Sequence, residues 1–404
     1  MPSDALMLHN PSSPTSAKQM NHEEIALYIH WPFCIAKCPY CDFNSHVRDQ
    51  VDYDTWQNAL FLDLRHEYKV NPSPRINSVF FGGGTPSLMP PRLVAELMAE
   101  ADKLWGLNER CEITLEANPS SVEAARFSDL ASAGVNRVSL GLQSLDDHSL
   151  HFLGRTHDVK EGLAALETAQ RNFARVSFDL IYARPGQSLH DWQSELGRAL
   201  RFGTSHMSLY QLTIEPGTRF ETLVRTGQLV PADDDHSADL FDLTQEMTMA
   251  AGLPAYEISN HARIGEESRH NLTYWRYGDY VGVGAGAHGR RKGKATERHK
   301  KPENFLSAIE RNGNGLKVEQ PLSSQVQATE ALMMGLRLRE GIDLEALSEK
   351  TGLAINMMVN SAEIGTLAAL DLVHREGNIL TIKPKGMPLL DALLPRIIAD
   401  ALCA

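Results

Sequence analysis

Residues 25–41 read IALYIHWPFCIAKCPYC. The first seven form an apolar, aromatic run of the length of one buried strand. It ends at Pro32, and Cys34, Cys38 and Cys41 follow on the loop beyond it, four and three residues apart. Runs of the same kind recur at RINSVFFG ending at Gly82, CEITLEAN ending at Asn118, NRVSLGLQ ending at Gln143, RVSFDLIYA ending at Ala183 and SHMSLYQLTI ending at Ile214. Between them, Asp52–Tyr68, Pro91–Leu104, Val122–Ala133, Val159–Arg171 and Leu189–Phe202 carry apolar residues at spacings of three and four, the helical period. Six strands with single helical crossovers predict an α/β fold over residues 25–215, either an open doubly wound sheet or a partial (β/α) barrel. In both, chemistry collects beyond the carboxyl ends of the strands. Glycine-rich turns explain GGGTPS there, but not Glu116, Gln143 and Asp179 beside it.

Composition narrows the function classes. The 404 residues carry 39 Lys and Arg against 51 Asp and Glu, a formal charge of −12, which argues against a nucleic-acid partner. Five cysteines, an odd number in a chain this long, suit a reducing, cytoplasmic setting better than a disulfide framework. No apolar run reaches the roughly 18 residues that span a bilayer. Residues 1–24, rich in Pro and Ser, read as a disordered leader, with a transit peptide as the weaker alternative. After Pro216 the repeat stops. A connecting region, 216–301, holds HNLTYW and GVGAGAHGRRKGK, and a mainly helical domain with a candidate hairpin at Gly377–Lys383 occupies 302–404. Its helices and small wing suggest a winged-helix-like unit, for which a packing or lid role is preferred to DNA binding.

Three thiolates on one loop are soft ligands that can converge on one centre. Held by three cysteines, a cubane of four irons leaves one iron open to an exogenous ligand. Zinc is the alternative, with His30, Asp42, His46 or Cys111 as fourth ligand. Cys111 opens a strand and belongs to the opposite edge, and Cys403 lies in the last helix.

The loop YIHWPFCIAKCPYCDF resembles the CxxxCxxC loop of the radical S-adenosylmethionine (SAM) enzymes, specifically the oxygen-independent coproporphyrinogen III oxidase-like group. GGGTPS, EANP, SLGLQS, LGR and DLIYARPGQ continue the match in the same order. The resemblance implies a partial (β/α)6 radical SAM barrel and a [4Fe-4S] cluster on Cys34, Cys38 and Cys41, with SAM chelating the open iron. It also implies a SAM pocket shaped by Gly82, Gly83, Gly84 and Thr85, with Glu116 accepting from ribose hydroxyls. Tyr28 and Tyr40 flank the cluster loop, and Gln143, Arg155, Asp179 and Leu212 match residues around SAM and the reaction space. Structural alternatives stand beside these roles: Tyr28 as core filling, Arg155 as a helix-cap ion pair, Asp179 as a partner of backbone. A reduced cluster cleaving SAM would give a 5′-deoxyadenosyl radical, so an electron donor is implied.

Two departures bear on the substrate. The oxidase carries a further Cys two residues after the last cluster Cys, where this chain has Phe43. HNLTYW, His270 to Trp275, is similar to the HNxxYW signature of the HemW-type heme chaperones of the same family. In that reading His270 ligates heme iron, Tyr274 and Trp275 offer apolar surface, and His288 or His261 is a secondary ligand candidate. A satisfied fold residue is the structural alternative for His270. Arg290, Arg291, Lys292, Lys294, Arg298, Lys300 and Lys301 face only Glu297, a basic stretch that would receive heme propionates, an acidic partner or lipid heads, or else form a solvated loop.

The resemblance favours a heme chaperone that passes heme to acceptor apoproteins, membrane respiratory proteins among them, from the cytoplasm or the membrane periphery; it allows a homodimer. Coproporphyrinogen oxidation is not expected on this reading. It remains the alternative, followed by a radical SAM methyltransferase and a zinc-stabilised structural or DNA-binding protein.

Overall fold

Strand β1 (Glu24–Trp31) sits between two parallel neighbours and is buried along nearly its whole length, which is why it reads as a continuous apolar run. The computed structural model describes residues 24–72 and 74–402. The expected leader therefore lies outside the described residues except for Glu24, which already belongs to β1, and Cys403 lies outside them too.

The other five expected strands are β2 (Arg75–Gly83), β3 (Leu107–Ala117), β4 (Arg137–Gln143), β5 (Arg175–Tyr182) and β6 (His206–Gln211). They lie in chain order and all pair parallel. The crossovers are α1 (Tyr53–Val70), α2 (Pro91–Trp105), α3 (Phe127–Ser132), α4 (Val159–Asn172) and α5 (Leu189–Leu200). Local chemistry starts them: Asp52 accepts from the Thr55 amide at the head of α1, and Ser188 and Asp191 form a reciprocal capping box on α5. After α6 (Asp234–Ala250), the short antiparallel β7 (Asn260–Ala262) closes the β6 edge. The chain thus forms the expected α/β partial barrel, followed by a mainly helical C-terminal domain.

The opposite edge differs from expectation. After α7 (Arg269–Trp275), part of the glycine-rich stretch forms β8 (Tyr280–Val283), a seventh parallel strand on the far side of β1. Antiparallel β9 (His288–Arg291), β10 (Lys294–Arg298) and β11 (Leu316–Pro321) extend the sheet to eleven strands. The helix α8 (Pro302–Asn312) packs on α1, with the Phe305 ring stacked 5.6 Å from that of Trp56. The main sheet therefore runs to Pro321, past residue 302, because Phe305 is buried in the core of the barrel and the backbone of β11 pairs with β10.

The basic stretch is also corrected. Arg290, Arg291 and Arg298 are buried; Arg298 pairs with Asp63 at 3.2 Å and Glu67 at 2.5 Å, and Arg291 with Glu67 and Glu319. Carboxylates from α1, more than 220 residues away in sequence, neutralise Arg291 and Arg298, and Arg290 faces Glu330, leaving Lys292, Lys294, Lys300 and Lys301 as the exposed cations.

In the C-terminal domain α9 (Ser324–Gly335), α10 (Leu344–Thr351) and α11 (Ser361–Ala369) surround a three-stranded sheet of β12 (Ile342–Asp343), β14 (Ile379–Ile382) and β13 (Val373–Glu376). The hairpin falls at Gly377 as expected. The last helix, α12 (Leu390–Ile397), stops before Leu402, where Ile398 turns extended and bridges to Val359.

Candidate functional site

Two cavities meet at the carboxyl ends of β1 to β5. The first, of about 190 Å³, is lined by all three loop cysteines together with Tyr40, Gly83, Gly84, Thr85, Glu116, Gln143, Arg155 and Asp179. Residues separated by as many as 145 positions thus converge because each stands on the carboxyl half of a parallel strand or on the loop that follows one. The thiols are free and half-buried. The Thr85 hydroxyl donates to Cys34 Sγ at 3.4 Å, and Arg155 Nη1 donates to Cys38 Sγ at the same distance. Burial pushes the Cys34 and Cys41 thiols up from their ordinary values, an effect that a bound metal reverses by favouring thiolate.

Arg155 does not cap a helix through an ion pair. Its Nη2 donates to Asn118 Oδ1 at 2.6 Å and to the Gly141 carbonyl at 3.0 Å, while its buried Nε has no partner among the described residues. A buried donor left over beside three thiols fits a site completed by a polar ligand. Gly84 fits the same conclusion, since a Cβ there would come within 2.6 Å of the Phe33 carbonyl oxygen and force the turn off the cysteine loop. Gln143 holds a positive φ of 68° at its strand end, a conformation that costs energy in a residue with a side chain and is concentrated at functional sites. Among the described residues no His, Cys, Asp or Glu group converges on one point closely enough for a single ion. Three soft thiols spread over one loop are a donor set that suits a polynuclear cluster, in which each thiolate would take its own iron.

Glu116 accepts from the Gly83 amide at 3.2 Å. Burial, and then the neighbouring Asp179 charge, pushes its carboxyl up to about 8, while burial raises Asp179 to about 6. Unfolded, Glu116 would ionise near 4.5, so the folded protein holds the extra proton and loses stability as pH rises from there to about 8, above which the loss is complete. Glu116→Gln keeps the shape without the charge. It is expected to flatten the decline of unfolding free energy between about pH 5 and 8 in ligand-free protein; urea titration at several pH values checks this, and an unaltered slope would reject the assignment.

The second cavity, about 370 Å³, opens beside the first and shares Phe43, Gly83 and Glu116 with it. Tyr28, Tyr274 and Tyr280 give it aromatic walls, with His30, Asn44, Gly286, His288 and Lys300 completing it. His30 Nε2 donates to the Asn44 carbonyl, which leaves Nδ1 to accept from the Tyr28 hydroxyl, each at 2.9 Å. Asn44 Nδ2 in turn reaches the carbonyls of Ala285 and Lys300, tying the cysteine loop to the turn before β9 and to the segment after β10.

His270 lies one layer behind this wall, 2% exposed, stacked against Phe80 and Tyr28. Its Nε2 hydrogen-bonds to the Tyr274 hydroxyl at 2.9 Å and its Nδ1 lies 3.4 Å from Ser78 Oγ. Burial, with Arg137 second, depresses it to about 3, so the ring stays neutral. Trp275 faces the C-terminal domain, with the Arg337 guanidinium 4.7 Å from its ring. Leu212 packs with Tyr40, Leu153 and Phe220 in a small apolar cluster behind the first cavity rather than lining it. His261 is fully buried in β7.

The Radical SAM superfamily model matches residues 28–197, and the HemN C-terminal domain model matches residues 322–389. Radical S-adenosyl methionine domain-containing protein 1, mitochondrial, of Bos taurus is 37% identical over 95% of this chain and 88% of its own length. The heme chaperone HemW of Haemophilus influenzae is 36% identical over 84% of this chain and 89% of its own. The chain belongs to the HemN/HemW-like family of radical SAM proteins. Membership brings the SAM and iron–sulfur chemistry typical of that family.

Coproporphyrinogen III oxidase (HemN) of Escherichia coli has the same fold, with a TM-score of 0.79 at 20% identity, covering 93% of this chain and 90% of that one. This overturns the expectation that coproporphyrinogen oxidation is absent. The fold that carries the oxidase is present, and Phe43 stands 57% exposed at the rim shared by both cavities, so Phe43 by itself does not rule that chemistry out.

Within this HemN/HemW-like site, sequence reasoning missed the residues that hold others in place. Asn118 receives Arg155 and also donates to Thr85, while Glu123 accepts from the Asn118 amide at 2.8 Å and from Ser87. Asn118 stands inside the quoted EANP motif and was legible there; Glu123 looks like an ordinary first-turn acid. No helix among the described residues is long and apolar enough to cross a membrane.

Proposed function

We propose that this HemN/HemW-like protein binds heme and delivers it to acceptor proteins, with a radical SAM centre beside the heme. Cys34, Cys38 and Cys41 would hold a [4Fe-4S] cluster, and Gly83, Gly84, Glu116 and Arg155 would shape the SAM pocket. When bound, cluster and SAM supply one-electron chemistry at the sulfonium. The observation that carries the reading is the aromatic-walled cavity sharing Phe43, Gly83 and Glu116 with the thiol-lined one. Such a wall suits a flat apolar macrocycle held next to the reactive centre. Relatives named heme chaperone HemW at 36% identity support the delivery role. Acceptor apoproteins, membrane respiratory proteins among them, and an electron donor would be the partners, met in the cytoplasm or at the membrane periphery.

A second reading uses the same cavity: oxidative decarboxylation of coproporphyrinogen III, favoured by the fold shared with the oxidase. One experiment separates them. Anaerobically reconstituted protein is titrated with hemin and tested for transfer to an apoprotein, in parallel with an assay for vinyl products from coproporphyrinogen III. Saturable hemin binding with transfer is the expected result. Turnover to vinyl products without specific hemin binding would replace the first reading with the second.

A further inference from the structure

Three histidines belong to the second cavity or its wall, and their geometry separates their roles. His30 has both ring nitrogens engaged, with Tyr28 and with the Asn44 carbonyl. His270 sits behind the wall between Ser78 and Tyr274, so an iron could reach it only after Tyr28 and Tyr274 moved aside. His288, the first residue of β9, is exposed and lines the cavity. Its backbone is held rigidly. Gly286, two residues before it, adopts φ +88°, and a Cβ there would lie 2.1 Å from Asn44 Nδ2, so this tight turn requires glycine. The register pairs His288 with Glu297 on β10, which places Lys300, itself exposed, just beyond, where it lines the same cavity.

Aromatic rings, an exposed histidine and an exposed lysine at one opening match three parts of one ligand class: an apolar macrocycle, a coordinating metal and a peripheral carboxylate. We propose that His288 is the axial ligand to the iron of a bound tetrapyrrole and that Lys300 pairs with one of its carboxylates, while His270 only positions Tyr28 and Tyr274. This assignment rests on the heme reading above and goes beyond it by naming the ligand. It also places the macrocycle against Glu116 and Gly83, the wall common to both cavities.

The test uses cluster-reconstituted protein, hemin, and iron-free protoporphyrin IX, which has the same ring and carboxylates but nothing for an imidazole to coordinate. His288→Ala and His288→Gln are expected to lose the imidazole-ligated Soret band and to weaken hemin binding about tenfold or more, with protoporphyrin IX affinity unchanged. Lys300→Glu is expected to weaken both porphyrins several-fold, without altering the hemin spectrum. Cluster absorbance in each variant establishes that the barrel is intact, which the exposed position of His288 favours. Wild-type hemin spectrum and affinity in both His288 variants would overturn the ligand assignment and leave the heme reading standing. Failure of the wild-type protein to bind either porphyrin saturably would overturn the heme reading itself, and this assignment with it.

Discussion

Replacing Cys34, Cys38 or Cys41 with Ala, one at a time, is expected to take bound iron from about four atoms per chain to near none, while Cys111→Ala leaves loading unchanged. The three thiols line one cavity at the carboxyl end of the sheet. Two of them already meet donors, Thr85 and Arg155, that can stabilise thiolate charge. A cubane offers one iron to each thiolate, so losing one ligand exposes a second iron and destabilises the whole cluster. Cys111 is buried six residues before the end of β3, with its sulfur directed to its neighbour's carbonyl, and burial pushes its thiol up to about 12. Iron and sulfide analysis with electron paramagnetic resonance after anaerobic reconstitution checks this. Stoichiometric zinc in place of iron would refute it.

Asp63→Ala is expected to cost about 3–5 kcal/mol, the largest stability effect among the substitutions considered. Fully buried on α1, Asp63 accepts from Arg298 Nε at 3.2 Å, from the Gly284 amide at 3.1 Å and from the Gly315 amide at 3.0 Å. Alanine would strand a buried guanidinium and two buried backbone donors together, and each stranded group carries its own desolvation penalty. These donors come from the ends of β8 and β10 and from the turn before β11. The loss should therefore loosen β9, which carries His288, and the segment after β10, which carries Lys300, more than the parallel sheet beneath the cysteines. By contrast, Glu167→Ala, which breaks the exposed pair with Arg171, should change stability by less than about 1 kcal/mol. Urea unfolding of both variants gives the comparison, and a loss at Asp63 no larger than at Glu167 would show that Glu67 alone can satisfy Arg298.

Asp63 also illustrates what could not be read from the chain. Within α1 it is one acid among several at helical spacing, and nothing nearby hints that it receives Arg298 from 235 residues away. The basic stretch misleads for the same reason: its composition is local, but its neutralisation is not. HNLTYW is a third case. The short motif identifies the family group, yet only packing shows that His270 braces two tyrosines and that Trp275 meets Arg337 in the C-terminal domain.

By itself the sequence determined the six parallel strands with their crossovers, the three-cysteine loop, and the edge on which Glu116, Gln143 and Asp179 gather. Periodicity, capping and the strand-end rule act over one element at a time, so a linear reading captures them. Only the tertiary structure decided that a glycine-rich segment adds a seventh parallel strand, that the arginines near it are buried and paired, and that His288 rather than His270 faces the aromatic cavity. Those outcomes depend on which surfaces lose water against partners more than two hundred residues distant, and burial of that kind leaves no period in the sequence.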